Sequence, residues 1–599
     1  MAMSGAAESS SCCVATTQYG QVKGNSIQVR IKCRSDEEYS VPVHEFLGIP
    51  YATQPTGNRR FKPLDPLEPW NGILDATHFK SAPIQARSNP ILGSSIKSEA
   101  EECAYLNIWK PVQISSEETT NFAQLRRSLF SPLSRRKSGA AFEKDSLPQA
   151  ELKKLYRSCD ALQLVGKLER PRRRTLTSDS EDDPNLVPVF VFLYGGGFHN
   201  GASSESLYHG QVLCANQSVV VVTLDYRLGV LGFLHIPDVV EPNLGLKDQL
   251  VALEWIKDNI DSFGGDPNNI TLAGHSSGAS SVFCHYLSAQ SRNYFHKAVA
   301  MSGSYDSLWA VGRSKSSLIS HSKRFVSQNG GSVKQSPDEI LAFLQSLPLM
   351  CFSILLDRHF LPFGPIEDSS FFSMNNTDAF IDNKDIPLLA TLTRHEGDFF
   401  TWFVLREKVS ELLTDSPEAY TSFIKQYLHG FLPDEAIEQV EEFYQKLPIQ
   451  KSKIEVFQKA SEMMGDIVIN LSLVKFLNDI CFNFPKSPIY MAVHDFRPNL
   501  AHSTGLSVQI PEYVRCSHGS DLLHVFGHNM QRCSEEELVM IHSLQECIRE
   551  FMKYGAPIDA DQLWPKFTKE HQVFVYITPY NLEISENFRS DFVNFWEKL

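Results

Sequence analysis

The stretch "NITLAGHSSGASSVFCHYLSA" (269–289) constrains the fold most, because an apolar, strand-like run passes straight into a helical run with no linker between them. At the junction, Gly274-His275-Ser276-Ser277-Gly278 fits the pattern G-x-S-x-G. A strand that turns directly into a helix brings the two backbones very close. Glycines two residues to either side of the central serine let them approach without a Cβ clash. The spacing therefore selects Ser276 over its neighbour Ser277 as the residue at the tip of the turn.

Strand-to-helix alternation continues on both sides of this turn. "SVVVVTLDYRLGVLGFL" reads as a buried strand leading into a turn, and "GLKDQLVALEWIKDNIDSFGG" places Leu250, Leu253, Ile256 and Ile260 at helical spacing. This pattern predicts an α/β fold with a large, mostly parallel central sheet flanked by helices. "TTQYGQVKGNSIQVRIK" and "SVPVHEFLGIPYA" alternate and add a small N-terminal antiparallel sheet. "AYLNIWKPV" (104–112) and "LVPVFVFLYGGG" (186–197) look like consecutive buried strands, so the interval at about 113–185 is too long for a loop and reads as an insertion. The expected organisation is a disordered tail over residues 1–15 and a single domain over 16–599 that carries this insertion.

The insertion holds a basic run followed by an acidic one, with few aromatics, and is expected to be largely disordered. Two readings stand for it: an idle solvated loop, or a regulatory segment in which Ser138 after "RRK" and Thr175 after "RRR" take phosphate from a basic-directed kinase. A net charge of −14 argues against a nucleic-acid partner. The longest apolar runs fall well short of the roughly 20 residues of a transmembrane helix. The first residues lack the basic start and apolar core of a secretory signal. The 12 cysteines show no metal-ligand spacing, so no zinc site is expected.

A serine hydroxyl becomes a useful nucleophile only beside a base, an acid that orients the base, and donors for the developing oxyanion. Gly195, Gly196 and Gly197 end a buried strand and can supply backbone N–H groups; a plain strand-ending turn is the other reading. "HEGDFF" offers Glu396 and "SHGSDLLHVFG" offers His518, in the order serine, acid, histidine. With 19 histidines and 70 acidic residues, order alone selects neither.

Taken together, "FLGIPYATQPTGNRRFKP", "EECAYLNIW", "YGGGF", "LDYRLGVLGFL", "GHSSGA", "AMSGS", "HEGDFF" and "HGSDLLHVFG" resemble the type-B carboxylesterase/cholinesterase family, whose fold is the α/β-hydrolase fold. The resemblance covers nearly the whole chain. It implies Ser276 as nucleophile, His518 as general base and then acid, and Glu396 as the orienting carboxylate. It places the oxyanion hole at the N–H groups of Gly196, Gly197 and Ser277, and gives Ser302 a supporting role beside the acid. The implied activity is a serine esterase that hydrolyses small hydrophobic esters, without metal or cofactor.

Departures from the family narrow this reading. Cholinesterases carry a tryptophan before the "EECAYLNIW" motif and a glutamate before the nucleophile; here the first stretch reads "NPILGSSIKSEAEEC" and the second residue is His275. Choline esters are therefore poor candidates. His275 either tunes the site electrostatically or simply packs. Cys103 keeps one half of a family disulfide, but its partner position, like those of the other two family disulfides, lacks a cysteine. With no signal visible, a cytoplasmic setting is expected. Trp309, Phe363, Phe399 and Phe400 are candidates for a substrate pocket or for ordinary core aromatics. The competing reading is a non-catalytic binding or adhesion protein of the same family.

Overall fold

A computed structural model describes residues 12–33, 38–85, 98–112, 186–307, 309–311, 314–353, 362–368, 370–374, 385–404, 425, 428, 432–445, 452–499, 510–557, 564–596 and 598. Ser138 and Thr175, and with them the expected insertion, lie outside the described residues.

The strands in chain order are β1 (Cys12–Thr17), β2 (Gly20–Lys32), β3 (Glu38–Pro50), β4 (Ile73–Asp75), β5 (Ala82–Pro83), β6 (Glu99–Ala100), β7 (Tyr105–Pro111), β8 (Val187–Leu193), β9 (Val220–Leu224), β10 (Gly265–His275), β11 (Lys297–Met301), β12 (Leu388–Thr393), β13 (Ile489–His494), β14 (Val573–Ile577) and β15 (Leu582–Glu586). Thirteen of them form one sheet in the order β1-β2-β3-β7-β9-β8-β10-β11-β12-β13-β14-β15, with β4 beside β2, while β5 and β6 pair separately. The strands from β9 to β14 in this order run parallel, and β15 closes the far edge antiparallel. This is the α/β-hydrolase architecture.

The sequence patterns match their positions. β8 "VPVFVFL" and β9 "VVVTL" lie in the centre and are buried almost throughout, as strands covered on both faces must be. β2 alternates more clearly, as expected nearer the edge. The N-terminal antiparallel strands form no separate layer: β3 pairs with β7 and β7 with β9, so the ladder runs unbroken into the central sheet. β7 and β8 are not neighbours either, because β9 inserts between them. The ordered chain also begins before residue 16, since Cys12 to Ala15 already pair with β2.

Helix Leu244–Asn259 buries Leu250, Leu253 and Ile256 as their spacing requires. Helix Glu535–Tyr554 starts at a Ser534/Glu537 capping box and stops at Gly555, whose φ of 68° a Cβ would disfavour. It packs on β8 and β10, while helix Ser277–Tyr286 packs on β10 and β11. The chain leaves the carboxyl ends of β8, β10, β11 and β12 at Gly195, Ser276, Ser302 and Glu396, four residues gathered at one edge of the sheet.

Candidate active site

The turn at Ser276 is built by sterics. Ser276 has φ 56° and ψ −121°, a conformation that costs a non-glycine residue about 1–3 kcal/mol and persists only where its surroundings enforce it. Those surroundings are backbone. A Cβ on Gly274 would lie 2.3 Å from the Gly278 carbonyl oxygen, and one on Gly278 would lie 2.0 Å from that of Leu193. The Ser276 N–H donates to the Met301 carbonyl at 2.9 Å, which ties the turn to β11. The Ser277 hydroxyl, by contrast, is buried without a partner.

Facing this turn, the glycine loop after β8 takes unusual conformations: φ is 122° at Gly196, 64° at Gly197 and 65° at Phe198. The Gly196 carbonyl accepts from the N–H groups of His199 and Asn200, which turns the loop sharply. A Cβ on Gly195 would lie 2.9 Å from the Ser276 Cβ, so loop and turn are in contact. Among the described residues, the N–H groups of Gly196, Gly197 and Ser277 donate no recorded hydrogen bond.

Glu396 and His518, 122 residues apart in sequence, meet through a 2.6 Å contact between Glu396 Oε2 and His518 Nδ1. Glu396 is buried, and its other oxygen accepts from the Ser302 hydroxyl and the Thr393 N–H, each at 2.6 Å. A buried carboxylate with three such donors has the hydrogen bonds its charge demands. Ser302 itself has φ 52°, a second strained serine at a strand end.

His275 links the two halves. Its ring lies 4.5 Å from the His518 ring, and it is wedged between Gly195 Cα and Gly519 Cα, where added Cβ atoms would meet it at 3.1 and 3.4 Å. Burial, and then the neighbouring His518, push its pKa well below the ordinary histidine value, so it is neutral at pH 7. Its Nε2 is buried without a partner.

Of the aromatic candidates, Phe400 and Phe399 lie 4.8 and 5.9 Å from the His518 ring. Trp309 sits 6.3 Å from Phe198 of the glycine loop, its indole N–H donating to the Val468 carbonyl. Phe363 is buried behind that loop, against His199 and Phe325, in a core-like position.

Three features escaped sequence reasoning. Asp521 is buried near Glu396 and His518, and burial pushes its carboxyl up to about 7. Asp398 is buried and ion-paired to Arg515. Cys516, two residues before His518, donates its thiol to the His494 carbonyl at 3.2 Å, and burial raises its pKa to about 12. Their only sequence signal is proximity: each lies within three residues of Glu396 or His518. Cys103 is buried, and no disulfide forms among the described cysteines.

The carboxylesterase family profile matches residues 11–123 and 169–596. The chain belongs to the carboxylesterase family. The family match omits residues 124–168, inside the interval read as an insertion. An acetylcholinesterase of Bungarus fasciatus is 26% identical over 615 aligned residues, covering 97% of this chain and 85% of that protein. An acetylcholinesterase of Leptinotarsa decemlineata is 25% identical, covering 89% and 79%, and a carboxylic ester hydrolase of Bombus ignitus is 25% identical, covering 92% and 89%. As a carboxylesterase-family member the chain is a carboxylic ester hydrolase. No helix among the described residues is long and apolar enough to cross a membrane.

Proposed function

We propose that this carboxylesterase hydrolyses uncharged, hydrophobic carboxylic esters through an acyl-enzyme on Ser276. The observation that carries the proposal is the 2.6 Å contact that orients His518 on Glu396, with His518 packed 4.5 Å from the ring of His275, the residue before a serine held in a strained turn. In this mechanism His518 takes the Ser276 proton as the hydroxyl attacks the ester carbonyl. The N–H groups of Gly196, Gly197 and Ser277 receive the oxyanion, each contributing about 3–4 kcal/mol to the transition state. Glu396 stabilises the imidazolium, which then protonates the departing alcohol. Water, deprotonated by His518, hydrolyses the acyl-enzyme and restores Ser276.

Phe399 and Phe400, next to His518, are the apolar walls that a hydrophobic ester would contact. Choline esters fit less well, since His275 is neutral and offers no negative charge to a quaternary ammonium. The absence of the family disulfides supports a reducing, cytoplasmic setting.

The test is labelling by a fluorophosphonate and hydrolysis of p-nitrophenyl acetate and butyrate, with acetylthiocholine in parallel. Wild type should label and hydrolyse the nitrophenyl esters, and Ser276→Ala should do neither. A wild type that neither labels nor hydrolyses would refute the proposal, and efficient acetylthiocholine turnover would refute its substrate half.

A further inference from the structure

We infer that the Arg515/Asp398 ion pair is a positioning device that locks the acid-bearing and histidine-bearing loops into one unit and so sets the His518 imidazole on its line to Ser276. The inference rests on the triad reading above.

Asp398 lies two residues after Glu396, and Arg515 three residues before His518. Asp398 is fully buried, and Arg515 gives it three hydrogen bonds: the backbone N–H to Oδ2 at 2.7 Å, Nε to Oδ2 at 3.0 Å and Nη2 to Oδ1 at 2.9 Å. The guanidinium fork fixes the direction as well as the distance of approach. The stitching continues three residues before Asp398 and one after Arg515, where the His395 N–H donates to the Cys516 carbonyl at 3.0 Å.

The acid-bearing loop has its own anchor. A Cβ on Gly397 would lie 1.7 Å from the Ser461 carbonyl oxygen, so this loop is pressed onto the backbone of helix Lys453–Gly465. The histidine-bearing loop is therefore referenced to that helix through Asp398. A general base must hold its place within a fraction of an ångström, and a displacement of about 1 Å can lower a rate about 10²-fold. A positioning residue of this kind should lower kcat and leave KM nearly unchanged.

The experiment compares full-length wild type, Asp398→Asn, Arg515→Ala, Arg515→Lys and Ser276→Ala on p-nitrophenyl butyrate, with active sites counted by fluorophosphonate titration. Asp398→Asn and Arg515→Ala should lose about 10²-fold in kcat per titrated site, with KM within about twofold, and phosphonylation should slow in parallel. Arg515→Lys, which keeps the charge and loses the fork, should recover only part of the loss. If Asp398→Asn does not fold, the two Arg515 variants decide, since that side chain is 23% exposed and water can fill its place. Unchanged kcat per site, with only a lower melting temperature, would overturn the inference and leave the triad reading intact. An inactive wild type would overturn both.

Discussion

Ser276 is held by backbone atoms of residues 274 to 278 and of the adjoining strands, whereas Glu396 and His518 are held by side chains that meet across 94 to 122 residues of sequence. The Ser276 half depends on excluded volume at Gly274 and Gly278. The acid-base half depends on hydrogen bonds and one buried ion pair, which a single side-chain change can detune while the fold persists. Damage to the first half should therefore appear mainly as lost folding, and damage to the second as lost rate. Ser276 itself is the exception if its hydroxyl is the proposed nucleophile, since the turn is held by the backbone and not by that hydroxyl.

The sharpest separation comes from Ser276→Ala, which should lower kcat by about 10⁵- to 10⁶-fold in the nitrophenyl ester assay and leave the melting temperature unchanged or slightly altered. Gly278→Ala is the opposite probe. Its new Cβ would sit 2.0 Å from a backbone oxygen, and denaturant unfolding should show a loss of about 3 kcal/mol or more, if the variant folds at all.

The helix that follows Ser276 gives a pH-dependent version of the same comparison. His285 is buried, donates and accepts through contacts to Ser291 and Gln249, and burial pushes its pKa down to about 3. Because the unfolded chain binds a proton near pH 6.5 and the native helix does not until about pH 3, its share of stability is complete above pH 6.5 and falls as pH drops. His285→Gln should accordingly lose about 2 kcal/mol less than wild type between pH 7.5 and pH 5, read from denaturation midpoints at the two values. kcat per titrated site at pH 7.5 should not move.

Ser302→Ala is the mildest probe. It removes one of the three hydrogen bonds to Glu396 and should lower kcat/KM about tenfold, with stability changed by about 1 kcal/mol. A drop as large as that of Ser276→Ala would mean that the two remaining contacts of Glu396, to the Thr393 N–H and to His518, do not hold the acid in place.

The same contrast explains what could be read from the sequence. Gly274 and Gly278 advertise the turn because both glycines that its close backbone approaches require fall within five residues, and the parallel sheet follows from apolar runs alternating with helical ones. Glu396 and His518 could be selected only through the family motifs, since the bond between them spans 122 residues and leaves no local pattern. The Arg515/Asp398 pair leaves no local pattern for the same reason, although Asp398 sits inside "HEGDFF" and Arg515 lies two residues before "SHGSDLLHVFG". Strand order was no easier: β7 and β8 are successive apolar runs, and only long-range pairing reveals that β9 lies between them. The pairing of Cys12 to Ala15 with β2 was missed because a polar N-terminal composition resembles a tail until a partner strand is present.

Cys516 has one more consequence, for chemical probes. Two residues from His518 lies a thiol that is 2% exposed and whose pKa burial raises to about 12. Soft electrophiles such as iodoacetamide and maleimides require a thiolate, so they should pass this loop without reacting. Oxidants that disable exposed cysteines elsewhere in the chain should likewise leave the loop's geometry as it was.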